Sequence, residues 1–142
     1  MAISREQEEI LIKKSIEAAP GAYVPYSDFH VGACVLGEDG NFYTGFNIEN
    51  VSYGATTCGE QAAVISMLTN SSCRKIKALA VAAGNSCDSM PCGICRQFLC
   101  EFVESPEVPI YSVAMDGRYM VKPFSEVMPY AFMNFEKDGT DK

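Results

Sequence analysis

Basic residues are few in this 142-residue chain. Eleven lysines and arginines stand against eighteen acidic residues, so the net charge is −7 and the pI about 4.6. A protein that grips a long nucleic acid needs clustered cations to displace counterions. Here they are scattered singly, and no basic and aromatic stripe accompanies them. A polymeric nucleic-acid substrate is therefore not expected, and neither is an editor of single strands. There is no apolar run of the roughly 18 residues a membrane helix needs, so no span is expected. The first nine residues hold Arg5, Glu6, Glu8 and Glu9 and no apolar stretch, so they do not read as a secretory leader. Histidine occurs once, at His30. It reads as a packed or solvent-facing strand residue, and no motif supports a hydrolase built on it.

What is present suits a folded domain. Apolar residues make up 48% of the chain, which excludes a disordered or fibrous protein. The length fits one domain, residues 1–142, with a hydrophobic core. Seven cysteines are an odd number. Without a leader they point to reduced thiols in the cytoplasm, some of them on a metal, and not to a disulfide framework.

The element pattern alternates. Ser4-Arg5-Glu6-Gln7 fits a capping box, and a first helix is expected to run to Ala19 and stop at Pro20-Gly21. Residues 23–28 form a loop. His30–Leu36 and Asn41–Phe46 read as a hairpin around Gly37-Glu38-Asp39-Gly40. After an aperiodic stretch, Cys58–Thr69 reads as a helix. Ile76–Ala83 is a nearly continuous apolar run, which suits a strand buried on both faces. Pro91 fits the first turn of a helix reaching Phe102. Pro109–Met115 and Arg118–Lys122 are strands about the turn Asp116-Gly117. Ser125 is expected to cap a short helix over 126–128, and residues 136–142 to form a frayed tail. The order implies an α/β fold with a mixed five-stranded sheet.

Two clusters carry chemistry. Cys58-Gly59-Glu60 and Pro91-Cys92-Gly93-Ile94-Cys95 each fall where a loop meets a helix N-terminus. Three thiolates hold Zn²⁺ and leave a fourth position for water, the layout of a catalytic site. Cys92 and Cys95 are one helical turn apart, which puts both sulfurs on one side. Helix N-termini favour the thiolate form. Zinc brings its water's pKa to about 7. Glu60, two residues beyond Cys58, can take a proton from that water without binding the metal, as a general acid and base does. This is the arrangement of zinc nucleobase deaminases. A lone C-x-x-C equally suits a structural zinc half-site or a redox pair. A structural site would want a fourth ligand from Cys34, Cys73, Cys87 or Cys100. Cys34, in a strand, and Cys100, among apolar neighbours, read as buried thiols.

Further segments give these clusters a context. Tyr23-Val24-Pro25-Tyr26-Ser27-Asp28-Phe29-His30-Val31-Gly32-Ala33 resembles the opening segment of cytidine deaminases. Asn47-Ile48-Glu49-Asn50-Val51-Ser52-Tyr53 resembles their ribose-binding segment, and Pro91-Cys92-Gly93-Ile94-Cys95-Arg96-Gln97 their second zinc motif. Order and spacing match from Tyr23 to Phe132. The resemblance implies a three-layer α/β/α sandwich, a homotetramer with sites near subunit contacts, and one zinc per chain. It implies hydrolysis of cytidine and 2′-deoxycytidine to the uridines with loss of ammonia, a reaction of pyrimidine salvage. By the same resemblance Cys58, Cys92 and Cys95 hold zinc and Glu60 moves protons. Asn47 and Glu49 hold the ribose, Phe29 packs on the pyrimidine, and the Gly59 N–H reaches the base carbonyl. Tyr53 lines a pocket, and Phe132 contacts one, across a subunit boundary. A nucleoside carries no phosphate, so an acidic surface does not repel it.

The departures bear on the metal. Gly59 stands where the family commonly has Ala, and only its backbone N–H is required. Gln61 stands where the family commonly has Arg. Zinc with three thiolates carries a formal charge of about −1, which a neighbouring Arg offsets. Arg96 is left to do so, and the metal's water is expected to be less acidic than in Arg-bearing relatives. Two other readings share these residues: a deaminase of a cytosine-bearing antibiotic or modified nucleoside, and a zinc-binding protein without catalysis. Asn47 and Glu49 favour plain ribose, and an intact Glu60 favours catalysis.

Overall fold

The structure is a computed structural model that describes residues 3–133. The expected 136–142 tail lies outside the described residues. Helix α1 (Arg5–Ala18) opens with the expected capping box: the Gln7 N–H donates to Ser4 Oγ and the Ser4 N–H to Gln7 Oε1, both at 3.0 Å. The chain then tightens into a 3₁₀ turn over Ala19–Gly21, one residue before the expected helix end. Strands β1 (Val31–Gly37) and β2 (Phe42–Phe46) form the hairpin. Helix α2 (Gly59–Asn70), strand β3 (Ile76–Ala83) and helix α3 (Gly93–Leu99) follow. Strands β4 (Pro109–Val113) and β5 (Tyr119–Pro123) and the short helix α4 (Phe124–Val127) complete the order.

The five strands form one mixed sheet in the order β2-β1-β3-β4-β5. Only β3 and β4 are parallel; the other neighbours are antiparallel. Alternation along the strands builds two cores. Ala33, Val35, Leu79 and Ile110 face one side and pack with Ala63, Val64 and Met67 of α2, Leu99 of α3, and Phe124 and Val127 of α4. Cys34, Leu36, Ala78, Ala80, Ala82 and Tyr111 face the other and pack with Leu11 of α1. β1 and β3 are thus buried on both faces, as the apolar run of β3 predicts, and the layers are α/β/α.

Two glycines let the helices lie against the sheet. A Cβ on Gly32 would stand 2.1 Å from the Ser15 carbonyl oxygen of α1, and one on Gly45 would stand 2.3 Å from the Ala63 nitrogen of α2. Both distances are shorter than any van der Waals contact, so helix backbone occupies the side-chain space.

Three expectations are corrected. Pro91 lies before the helix and not in its first turn, because Cys92 is the N-cap of α3. The helix stops at Leu99 and not at Phe102. The next turn tightens, with Phe102 N–H donating to the Leu99 carbonyl at 2.9 Å, and the Phe102 carbonyl accepts the Ile76 N–H at 2.7 Å. Docking on the start of β3 outweighs helical periodicity there. Ser125 is not a cap: α4 starts at Phe124 after Pro123, whose ring fixes φ and leaves no side-chain acceptor.

Candidate active site

The site lies where α2 and α3 begin, at the C-terminal ends of the parallel strands β3 and β4. Cys58 is the N-cap of α2 and Cys92 the N-cap of α3; Cys95 is the third residue of α3. Neither N-cap side chain bonds to the helix. Each carbonyl does, accepting Ala62 N–H at 3.0 Å and Arg96 N–H at 2.9 Å. The thiols are thereby held outside the first turns, where unpaired N–H groups and the helix dipoles favour negative sulfur.

The sulfurs of Cys58, Cys92 and Cys95 all lie within 4.8 Å of one another. A tetrahedral Zn–S site, with bonds of about 2.3 Å, separates its sulfurs by about 3.8 Å. The trio fits zinc with small side-chain adjustment. It is the only such cluster among the described residues, and no fourth thiol or carboxylate joins it. The remaining cysteines are accounted for elsewhere. Cys34, Cys73 and Cys100 are buried and Cys87 is half-buried in the loop before α3, all as free thiols. In the free thiol cluster, the hydrogen bond with Cys95 lowers the Cys58 thiol to about 7, and the same contact, with burial, raises Cys95.

A cavity of about 490 Å³ opens beside the sulfurs. Cys58, Gly59, Glu60 and Cys92 line it, with Phe29, Val31, Asn47, Val81, Ser112 and Val113 among its other walls. Glu60 is only 5% exposed. Burial raises its pKa above the ordinary carboxylate value, against smaller opposing effects of its own N–H and the Cys95 thiol. A buried carboxyl whose pKa is raised, beside a thiol trio, is placed to give and take a proton.

The structure brings Phe29, Asn47, Gly59 and Glu60 together on this cavity; Glu49, Tyr53 and Phe132 are not among its lining residues. Asn47 accepts the Val31 N–H on Oδ1 and donates Nδ2 to the Phe29 carbonyl, both at 3.0 Å. Glu49 stands in the adjoining loop, accepting the N–H groups of Tyr26 and Ser27 at 3.1 Å. Tyr53 is 78% exposed and Phe132 67%, and the Phe132 carbonyl accepts from Gln97 Nε2 at 2.8 Å. Gln61 Nε2 donates to Cys95 Sγ at 3.7 Å. Arg96 bonds the carbonyls of Pro91 and Val127, at 2.6 and 2.8 Å, and so ties the loop before α3 to α4. Sequence reasoning missed Val31, Val81, Ser112 and Val113. Ser112 carried a signal, as the one polar residue within the apolar run of β4.

Residues 5–112 match the zinc-binding region of cytidine and deoxycytidylate deaminases. The chain belongs to that deaminase family. A cytidine deaminase of Mycobacterium tuberculosis is 52% identical over 116 residues, 82% of each chain. One from Halalkalibacterium halodurans is 40% identical over 124 residues, 87% of this chain and 92% of the relative. The crystal structure of a cytidine deaminase from Burkholderia pseudomallei superposes with a TM-score of 0.81 at 33% identity, covering 92% of this chain and all of that one. The mixed five-stranded sheet with its four helices is the deaminase fold, and within the matched zinc-binding region Cys58, Cys92 and Cys95 form a cluster that could hold the metal ion.

Proposed function

We propose that this chain is a zinc-dependent hydrolase that converts cytidine and 2′-deoxycytidine, with water, to uridine and 2′-deoxyuridine and ammonia. The observation that carries this reading is a three-thiol cluster beside a cavity whose wall includes two of its members, Cys58 and Cys92, and the buried Glu60. Cys58, Cys92 and Cys95 hold one zinc per chain. The metal supplies a nucleophile at neutral pH by acidifying water. Glu60 would take one proton from the water and give it to the pyrimidine N3 as the oxygen bonds to C4. It would then take the remaining proton of the new C4 hydroxyl and give it to the amino group, which leaves as ammonia while the C4 carbonyl forms. A carboxyl with a raised pKa suits both transfers.

The other residues bind and orient. Phe29 covers the flat base with its ring. The Gly59 N–H, unpaired at the start of α2, donates to the base carbonyl. Asn47 has one N–H and one lone pair left after its loop bonds, and Glu49 keeps acceptor capacity beyond its loop bonds, which suits ribose hydroxyls. Gln61 and Arg96 steady the thiol-bearing segments.

The whole chain acts as one domain, in a homotetramer that brings Tyr53 and Phe132 to a neighbour's site. Exposed Val51, Tyr53, Ile94 and Phe132 supply apolar surface for such contacts. Pyrimidine salvage in the cytoplasm suits an enzyme whose cysteines are free thiols. Among the described residues no helix is long and apolar enough to cross a membrane. The test is loss of cytidine and deoxycytidine absorbance by purified protein of measured zinc content. Turnover with about one zinc per chain is expected, abolished by a chelator and restored by zinc. A zinc-loaded protein inert on both nucleosides contradicts the proposal.

A further inference from the structure

Phe29 is 54% exposed, so packing alone does not fix the ring that walls the cavity. Its backbone is fixed at both ends. The Phe29 N–H donates to Ser27 Oγ at 3.0 Å, and the Phe29 carbonyl accepts from Asn47. The Ser27 hydroxyl in turn donates to Glu49 Oε2. Glu49 Oε1 holds the N–H groups of Tyr26 and Ser27. Between these anchors Asp28 takes a left-handed φ of 56°, with its N–H on the Val24 carbonyl at 3.0 Å. A single left-handed residue redirects the chain sharply and costs energy for a residue with a Cβ. Bonds on both sides of Asp28 hold that turn, and the turn sends the Phe29 ring toward Gly84 and the cavity.

We infer that Ser27 is a positioning residue for substrate: its hydroxyl couples the Glu49 carboxylate to the Phe29 backbone and so fixes the aromatic wall against the base. The inference rests on the functional reading above. Ser27 lines no part of the cavity itself. The hydroxyl also favours the ionised form of Glu49, since its hydrogen bond is the largest of the effects that hold this carboxyl below its ordinary value. One hydroxyl thus serves two groups assigned to binding, one on the base and one on the ribose. Neither is a group that moves protons. Losing Ser27 therefore affects affinity and not the chemical step.

The experiment measures kcat and KM for cytidine, and competitive inhibition by uridine, for the wild type, Ser27→Ala and Ser27→Thr, each with its zinc content and Tm. For Ser27→Ala, KM and the uridine inhibition constant are expected to rise about 5- to 10-fold, the loss of one hydrogen bond, with kcat within about twofold of wild type. Ser27→Thr keeps the hydroxyl and is expected to restore both constants. If Ser27→Ala yields no folded protein, Ser27→Cys, whose thiol is a weak donor and acceptor, takes its place with the same expected direction. An alanine variant with wild-type KM overturns the inference, as does one in which kcat falls and KM holds, or one that threonine does not rescue. A wild type inert on cytidine overturns the functional reading and this inference with it. An active wild type with an indifferent Ser27 overturns the inference alone.

Discussion

Two carboxylates near the cavity live in opposite surroundings. Glu60 is buried at the start of α2 and its pKa is raised. Glu49 accepts hydrogen bonds in a loop and its pKa is lowered. In the proposed reaction these surroundings suit them to different work, Glu60 to carrying protons and Glu49 to holding a hydroxyl. The sulfurs are tuned in the same way. The Gln61 amide gives Cys95 a neutral donor, and the Arg96 guanidinium is engaged by two carbonyls. Gln61→Arg would add positive charge beside the thiolates, so the acid limb of kcat/KM is expected to move to lower pH. A pH–rate profile that coincides with wild type contradicts this. Away from the site, burial pushes the Cys34 thiol from 9.0 to about 12. The unfolded chain therefore gives up this proton at lower pH than the folded one. The stability linked to Cys34 is full below about pH 9 and is lost as pH rises toward 12. Urea midpoints from pH 8 to 11 should fall less steeply for Cys34→Ala than for wild type; equal slopes would exclude the linkage.

Element by element, local signals and tertiary contacts share control of the structure. The capping box of α1, the hairpin turn before β2 and the apolar run of β3 act over a few residues, and each was legible in the sequence. The end of α3 was not, because a contact with the distant Ile76 decides it. That the three thiols and Glu60 come together was legible because spacing along a helix start fixes their geometry. The cavity walls from β3 and β4 were not, since strand pairing across about 30 residues assembles them. Tyr53 and Phe132 stand outside the cavity lining of the single chain. Close approach of helix and sheet has a testable cost. Gly45→Ala drives a methyl into the α2 backbone and is expected to lower stability by about 1–3 kcal/mol. Activity should fall too, because α2 carries Glu60 and follows Cys58. Gly59→Ala meets nothing nearer than a Val31 methyl at 3.4 Å, so its Tm is expected to stay close to wild type. Thermal unfolding of both variants checks the contrast, and equal losses would mean that the Gly45 approach is not tight.

For the whole molecule, charge and surface say what it meets. A net charge of −7 repels phosphate chains and leaves an uncharged nucleoside free to enter. Single-stranded oligonucleotides are expected to show no salt-sensitive binding in a titration from 50 to 200 mM salt, each figure being about the range over which phosphate contacts reveal themselves. Binding that weakens steeply with salt would point to a polymeric substrate instead. At this scale too the layers serve the chemistry. α1 closes one face of the sheet, while α2 and α3 on the other hold the sulfurs, Glu60 and the cavity together. The decisive comparison is cytidine turnover by wild type and Glu60→Gln, with zinc measured in both. Loss of about 10²- to 10⁴-fold in kcat, at unchanged zinc near one per chain, is the expected result. A glutamine variant that deaminates cytidine at the wild-type rate with zinc in place would contradict the role of Glu60 and the mechanism built on it.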